Sequence, residues 1–179
     1  MRKLLIGLLG ALVAASRLTA ATNLVAGATH PPPVTRPDAD DPVEKQYQKL
    51  MEDDDAAQAE VDEWIKDNQQ AEARGAAVPN ADLKRRIRER FQPIRDAYEE
   101  FIKRHPDHAR ARVAYGSFLG DLQEEDGARE QWEKALALNP KDPAVYNNLA
   151  NLYCHASPVK KAFEYYAKAS ELNPQEPLY

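Results

Sequence analysis

The sequence has few of the residues from which reactive sites are built. Its 179 residues include one cysteine, four histidines and seven glycines. A single cysteine excludes an internal disulfide framework and a zinc site made of thiolates. The glycines are scattered and form no phosphate-binding loop. No Ser/His/Asp or Cys/His arrangement can be assembled. We therefore expect no catalytic residue, no cofactor, no metal site and no small-molecule substrate, so the sequence favours a protein that is not an enzyme.

Two histidines are the only candidates for metal ligands. His105 and His108 are three residues apart, a spacing that a metal ion can use. They bracket a loop, however, and no third ligand is evident. We expect both to be surface histidines.

The sequence also lacks an excess of positive charge. Its 24 Lys and Arg face 29 Asp and Glu, which gives a net charge of −5. This balance argues against nucleic acid or an anionic membrane as the main partner. Aromatic residues are scarce in the first half, where only Tyr47 and Trp64 precede residue 91. Because large rings dominate core burial, we expect the core in the C-terminal half.

The N-terminus has the pattern of a secretory signal peptide. A basic start, Arg2 and Lys3, precedes an uninterrupted apolar run over residues 4–15, and small residues follow. That run is too short for a membrane span, which needs about 20 apolar residues. We predict a signal peptide at 1–21, with cleavage after Ala21 or Ala28, and export to the periplasm or the exterior. The alternative is an uncleaved membrane anchor, and this segment is the only expected link to a membrane. Removing residues 1–21 deletes three cations and no acid, which changes the net charge to −8.

Residues 22–41 form a proline-rich segment that we interpret as a linker. An acidic amphipathic helix is predicted next, over 42–74. Asp41 can cap it, Pro42 suits its first turn, and Glu44 stands where a capping-box acid belongs. This helix could pack on the body, pair with a second copy, or be partly frayed. A further helical stretch spans 80–108, and Pro93 inside it predicts a break, hence a degenerate helical hairpin.

The most informative feature is an internal repeat of 34 residues. Residues 135–140 (ALALNP) return as residues 169–174 (ASELNP). At the same offset, Gly116 matches Ala150 and Trp132 matches Tyr166. Small residues let helices approach closely, while the rings fill the space between hairpins. The Asn-Pro pairs end each unit, because a residue before proline is driven out of the helical region.

These residues resemble the tetratricopeptide repeat family, which has a 34-residue helix–turn–helix unit with a closing proline. Two units match, over 109–142 and 143–176, and residues 177–179 align with the start of a further, truncated unit. We accordingly expect the chain to be a fragment of a longer protein. Arg112 departs from the family pattern, which usually has an aromatic residue there. The predicted fold class is all-α, an α-solenoid of such hairpins preceded by the long N-terminal helix.

The resemblance implies a scaffold that binds a peptide or protein segment through its concave face and performs no chemistry of its own. The first helix of each unit would line that face. It would carry Arg110, Val113, Ser117, Asp121, Asn147, Asn151 and His155. The paired cations with which some relatives hold a carboxylate are missing. Two alternatives stay open: a structural or oligomerisation part of a larger envelope assembly, with self-association, or the N-terminal fragment of a longer protein.

Overall fold

A computed structural model of the chain describes residues 41–154 and 159–175. The predicted signal peptide, nearly all of the predicted linker and residues 177–179 lie outside these ranges. The described residues form six helices and no strand. The helices are α1 (Pro42–Glu72), α2 (Asn80–Arg104), α3 (Ala109–Asp121), α4 (Glu125–Leu138), α5 (Pro143–Cys154) and α6 (Lys160–Leu172).

The helices pair in chain order as three helical hairpins over this part of the chain. α1 packs against α2, α3 against α4, and α5 against α6. Successive hairpins meet through the second helix of one and the first helix of the next, namely α2 with α3 and α4 with α5. This arrangement confirms the predicted all-α solenoid.

The predicted hairpin over 80–108 is wrong. α2 runs unbroken from Asn80 to Arg104 with Pro93 inside it, and α1 is its antiparallel partner. A proline inside a helix costs about 3 kcal/mol because it removes a hydrogen bond and crowds the preceding turn. Contacts on both sides of Pro93 offset this cost. Arg90 pairs with Glu60 of α1 at 2.6 Å before it, and Ile94 is buried after it.

α1 is therefore the first helix of the first hairpin and packs on the body. The Asp41 side chain accepts a hydrogen bond from the backbone N–H of Val43 at 2.9 Å, as the sequence predicts for its cap. Glu44 does not close a capping box and instead pairs with Arg110 of α3. The buried residues of α1 recur at helical intervals. They are Glu44, Tyr47, Leu50, Asp54, Ala57 and Val61.

The core spans all three hairpins. Tyr98 of α2 is fully buried and stacks on Tyr115 of α3, with ring centroids 5.1 Å apart. We expected the core in the C-terminal half, but α1 also contributes to it. Tyr47 of α1 packs against Phe101 and is 7% exposed.

Cys154, the single cysteine of the sequence, is exposed. It follows the buried Val145 by nine residues, which places it about 180° around α5.

Close helix crossing in the second hairpin depends on Gly116. A Cβ atom there would lie 2.5 Å from Nε1 of Trp132, closer than atoms can approach. The Trp132 ring fills that space, and its N–H donates to the backbone oxygen of Val113 at 3.2 Å. In the third hairpin, Ala150 and Tyr166 occupy the equivalent positions. Alanine is larger than the glycine of the second hairpin, and the tyrosine ring opposite it is smaller than the tryptophan ring.

The departure at Arg112 has a structural explanation. Its guanidinium donates to the backbone oxygen of Pro106 at 2.9 and 3.1 Å. At the equivalent position of the next unit, the hydroxyl of Tyr146 donates to the backbone oxygen of Pro140 at 3.1 Å. Both side chains thus hold the proline that closes the preceding unit.

None of the described helices combines the length and the apolar character that crossing a bilayer requires.

Candidate protein-binding face

The predicted concave-face residues lie on the first helices of the second and third hairpins. We use the name α3–α5 face for the six of them that the structure describes. They are Arg110, Val113, Ser117 and Asp121 on α3, with Asn147 and Asn151 on α5. His155, the seventh, lies outside the described residues.

Arg110 at the start of α3 is held by α1. Its guanidinium pairs with the Glu44 carboxylate at 2.9 Å and lies 4.5 Å from the centre of the Tyr47 ring. The Glu44 side chain is 6% exposed, whereas that of Arg110 is 49% exposed. The pair is therefore an inter-hairpin contact with one open side, and most of the binding capacity of Arg110 is already used.

The middle of α3 connects directly to α5. The hydroxyl of Ser117 donates to the backbone oxygen of Val113 at 3.2 Å. The same hydroxyl accepts from the side-chain amide of Asn148 on α5 at 3.4 Å. Val113 is half-buried and packs against the core. These contacts make the centre of the face a fixed surface.

The two face residues on α5, Asn147 and Asn151, differ in which side-chain groups are available to hydrogen-bond a ligand. Asn151 is exposed, and its side-chain oxygen accepts from the hydroxyl of Tyr166 at 2.6 Å, so its NH₂ group is what faces a ligand. Asn147 is half-buried, and its amide makes no hydrogen bond within the described part of the chain. A free side-chain amide can donate and accept at once, which matches a peptide bond.

The far end of α3 is acidic. Partial burial raises the pKa of Asp121, and the carboxylates of Asp54 and Asp62 on α1 raise it further. Asp54 is 6% exposed and accepts hydrogen bonds from the Tyr98 hydroxyl and from the Gln58 amide, the latter at 2.9 Å. Burial is the main cause of the raised pKa of Asp54, against the effect of these two donors. The junction of α1, α2 and α3 thus holds carboxylates in a partly desolvated setting.

The two histidines that we expected on the surface are both half-buried. His108 caps α3, since its Nδ1 accepts from the backbone N–H of Ala111 at 3.0 Å. Its ring lies against Tyr47 and Phe101, and burial is the main cause of its lowered pKa. His105 lies against Phe101 at 4.7 Å between ring centres. Among the described residues, no group of three or more potential metal ligands is gathered.

Sequence reasoning missed the part that α1 plays beside this face. Asp54 interrupts the apolar stripe of its helix, and a polar residue on a buried stripe needs a partner. That interruption was the available signal, but the partner, Tyr98, is 44 residues away. As built, the face offers amide and hydroxyl groups on a rigid helical support.

The second and third hairpins are helix–turn–helix units that repeat at a 34-residue offset. A family model described as TPR repeat matches residues 120–154, which cover the end of α3, the whole of α4 and the whole of α5. Residues 120–154 therefore contain a tetratricopeptide repeat. A TPR repeat supports a general role as a protein–protein interaction scaffold, and such domains are generally non-catalytic. No curated protein matches the chain.

Proposed function

We propose that the chain is an exported scaffold that binds a peptide or protein segment through the α3–α5 face and performs no chemistry of its own. The observation that carries the proposal is the side-chain amide of Asn147, which makes no hydrogen bond in the described part of the chain. It stands on α5, which is fixed to α3 through Asn148 and Ser117. A rigid support lowers the entropic cost of binding, because few side chains have to be ordered.

The preferred ligand is an extended, uncharged or basic segment. Asn147 and Asn151 can pair with backbone amide groups of such a segment. Arg110 is neutralised by Glu44, so it contributes little attraction for an acidic group. Asp121 and Asp62 at the far end favour a positively charged residue there. This ligand chemistry differs from capture of a C-terminal carboxylate, for which the paired cations are missing.

The binding proposal can be tested with peptides selected on the mature chain from a random library. We expect Asn147→Ala to weaken a selected peptide by about tenfold, equivalent to about 1.4 kcal/mol. Lys103→Ala, on the exposed flank of α2, is the matched control and should leave affinity unchanged. Equal affinities for wild type and Asn147→Ala, or equal losses in both variants, would place the binding site elsewhere.

Export is supported by the order of basic, apolar and small residues over 1–21. The mass of the protein isolated from its cells tests it directly. Loss of residues 1–21 or 1–28 is the expected result. An intact N-terminus in the membrane fraction would favour the alternative, an uncleaved anchor.

A structural role in a larger envelope assembly is the second candidate. The observation that favours it is Phe163 on α6, whose side chain is 71% exposed. Val159, one helical turn earlier, is 48% exposed, and adjoining exposed apolar side chains are typical of surfaces on which another molecule packs.

A further inference from the structure

His108, between α2 and α3, connects three helices at the junction of the first two hairpins. Its Nδ1 accepts from the backbone N–H of Ala111 at 3.0 Å, so the ring caps α3. The centre of the same ring lies 4.7 Å from that of Tyr47 of α1 and 5.1 Å from that of Phe101 of α2. The cap of one helix is therefore held in place by side chains of the other two.

The hydrogen bond that caps α3 requires a neutral His108 ring. An imidazole accepts only through its unprotonated nitrogen, whereas a protonated ring donates through both nitrogens. A proton on Nδ1 would face the N–H of Ala111 across 3.0 Å, donor against donor. The charged ring therefore has to leave the cap, and in leaving it gives up its contact with Tyr47.

The charged groups around His108 do not compensate a proton on its ring. Glu44 of α1 is a buried acid nearby, but its two carboxylate oxygens already accept from Arg110 at 2.9 and 3.0 Å. The Arg110 guanidinium also lies 4.5 Å from the centre of the Tyr47 ring, so a charged His108 would be a second cation beside that ring. Burial lowers the pKa of His108, and Arg110 and His105 lower it further, against the opposing effect of Glu44.

A cavity of about 350 Å³ beside His108 leaves room for the ring to turn outwards. The residues that line it are Val43, Arg104, His105, Pro106, Asp107 and His108. Its two charged residues, Arg104 and Asp107, are exposed, and Arg104 is already paired with Glu100 at 3.2 Å. A displaced, charged ring therefore moves towards solvent and Asp107, away from α1.

We propose that His108 is an acid-sensitive latch, whose protonation releases the start of α1 from α3 while the rest of the stack stays folded. Farther along α1, Asp54 is bonded to Tyr98 of α2, and Ala57 and Val61 are buried. These contacts lie beyond the first two turns of α1, so the opening is confined to residues 42–48. Because the closed junction favours neutral histidine, it is favoured above about pH 6.5 and is lost as the pH falls below that value. The latch does not depend on ligand binding at the α3–α5 face.

Hydrogen exchange of the full chain, followed by mass spectrometry at about pH 7.5 and 5.5, tests the latch. After correction for the intrinsic rate, exchange over residues 42–48 should be up to about tenfold faster in acid. That is the limit for one histidine at one pH unit below its ordinary pKa. Low urea should not accelerate this exchange, because a local opening exposes little surface. Residues 125–138 of α4 should exchange more slowly at both pH values.

Two histidine variants identify the group that responds to acid. His108→Asn keeps a cap that does not titrate, so acid should not speed exchange over residues 42–48. His105→Leu is the matched control and should respond like the wild type, because Nε2 of His105 is buried and makes no hydrogen bond among the described residues. Slow exchange over residues 125–138 shows that each variant is folded.

Four results would overturn the latch. The first is a wild type whose corrected exchange over residues 42–48 does not change with pH. The second is a His108→Asn protein that responds to acid like the wild type, and the third is a His105→Leu protein that no longer responds. The fourth is exchange over residues 42–48 with the rate and urea dependence of residues 125–138, since α1 would then open only with the whole chain.

Discussion

Substituting Gly116 by alanine tests the packing that defines the repeat. The added Cβ would lie 2.5 Å from Nε1 of Trp132 and 2.6 Å from its Cδ1. The ring cannot move aside freely, because it is 6% exposed and its N–H is bonded to Val113. Either α3 and α4 must separate or the indole must turn, and both changes disturb the centre of the second hairpin.

The expected magnitude follows from three opposing effects. Overpacking a core costs about 1–3 kcal/mol. A lost indole hydrogen bond adds about 1 kcal/mol. Alanine favours a helix over glycine by about 1 kcal/mol, which acts in the opposite direction. We therefore expect Gly116→Ala to destabilise the protein by about 1–3 kcal/mol. Gly120→Ala is the control, since a Cβ there would lie 3.5 Å from the nearest Trp132 atom, an ordinary contact.

Urea unfolding followed by circular dichroism measures these differences. The third hairpin suggests the rescue, because Ala150 is matched there by Tyr166. Trp132→Tyr should cost less in the Gly116→Ala background than in the wild type, with a coupling of about 1–3 kcal/mol. A Gly116→Ala protein as stable as Gly120→Ala would refute the reasoning, and so would purely additive effects of the two substitutions.

Three further predictions concern individual hydrogen bonds in the first two hairpins. The pKa of His108 is lowered, and its ring accepts from the N–H of Ala111 only when it is neutral. The wild type should therefore lose stability as pH falls below about 6.5. His108→Asn keeps an N-cap that does not titrate, so its stability should not fall over this pH range. Urea midpoints across pH check this, and parallel profiles would contradict it. Tyr98→Phe removes one of the two donors to the buried Asp54 carboxylate and should destabilise the protein by about 1–3 kcal/mol at neutral pH. Because the folded pKa of Asp54 is raised above 3.8, its charging should cost stability as pH rises from about 4, and Asp54→Asn should abolish that slope. Arg112→Ala should destabilise the protein by about 1 kcal/mol in thermal unfolding. Arg112→Tyr, which introduces the residue of the next unit, should retain wild-type stability. An equal loss of stability in both variants would argue against a shared role of Arg112 and Tyr146 in holding the preceding proline.

The repeat was predictable from the sequence because its determinants are local. Gly116, Trp132 and the Asn-Pro pairs recur at a fixed offset, and each has a direct steric consequence. The positions of the last four helices follow from them. The predicted all-α solenoid and the resemblance to TPR proteins are confirmed on that basis.

The first hairpin was not predictable in this way. Its helices pair through contacts far apart in the chain, such as Asp54 with Tyr98 and Glu60 with Arg90. Local reasoning assigned a break at Pro93, but packing on both sides outweighs the cost of the proline. No offset in the sequence indicates that α1 has the place of a repeat's first helix.

The α3–α5 face was only partly predictable for the same reason. Positions on the first helices follow from the repeat register, but the availability of each side chain depends on its neighbours. Arg110 is engaged by Glu44, and Asn151 by Tyr166, which the register does not reveal. Asn147 makes no hydrogen bond in the described part of the chain. It is therefore the residue of the face that we most expect to bind a ligand.

The central claim is that a protein segment binds along the α3–α5 face, and site-specific photo-crosslinking in the source cells tests it most directly. A photoreactive side chain is placed at position 147 on the face, or at position 103 on the exposed flank of α2. We expect position 147 to link to one defined segment of a partner, identified by mass spectrometry, and position 103 to give no such product. The same product from both positions, or a defined segment from position 103 alone, would contradict the account.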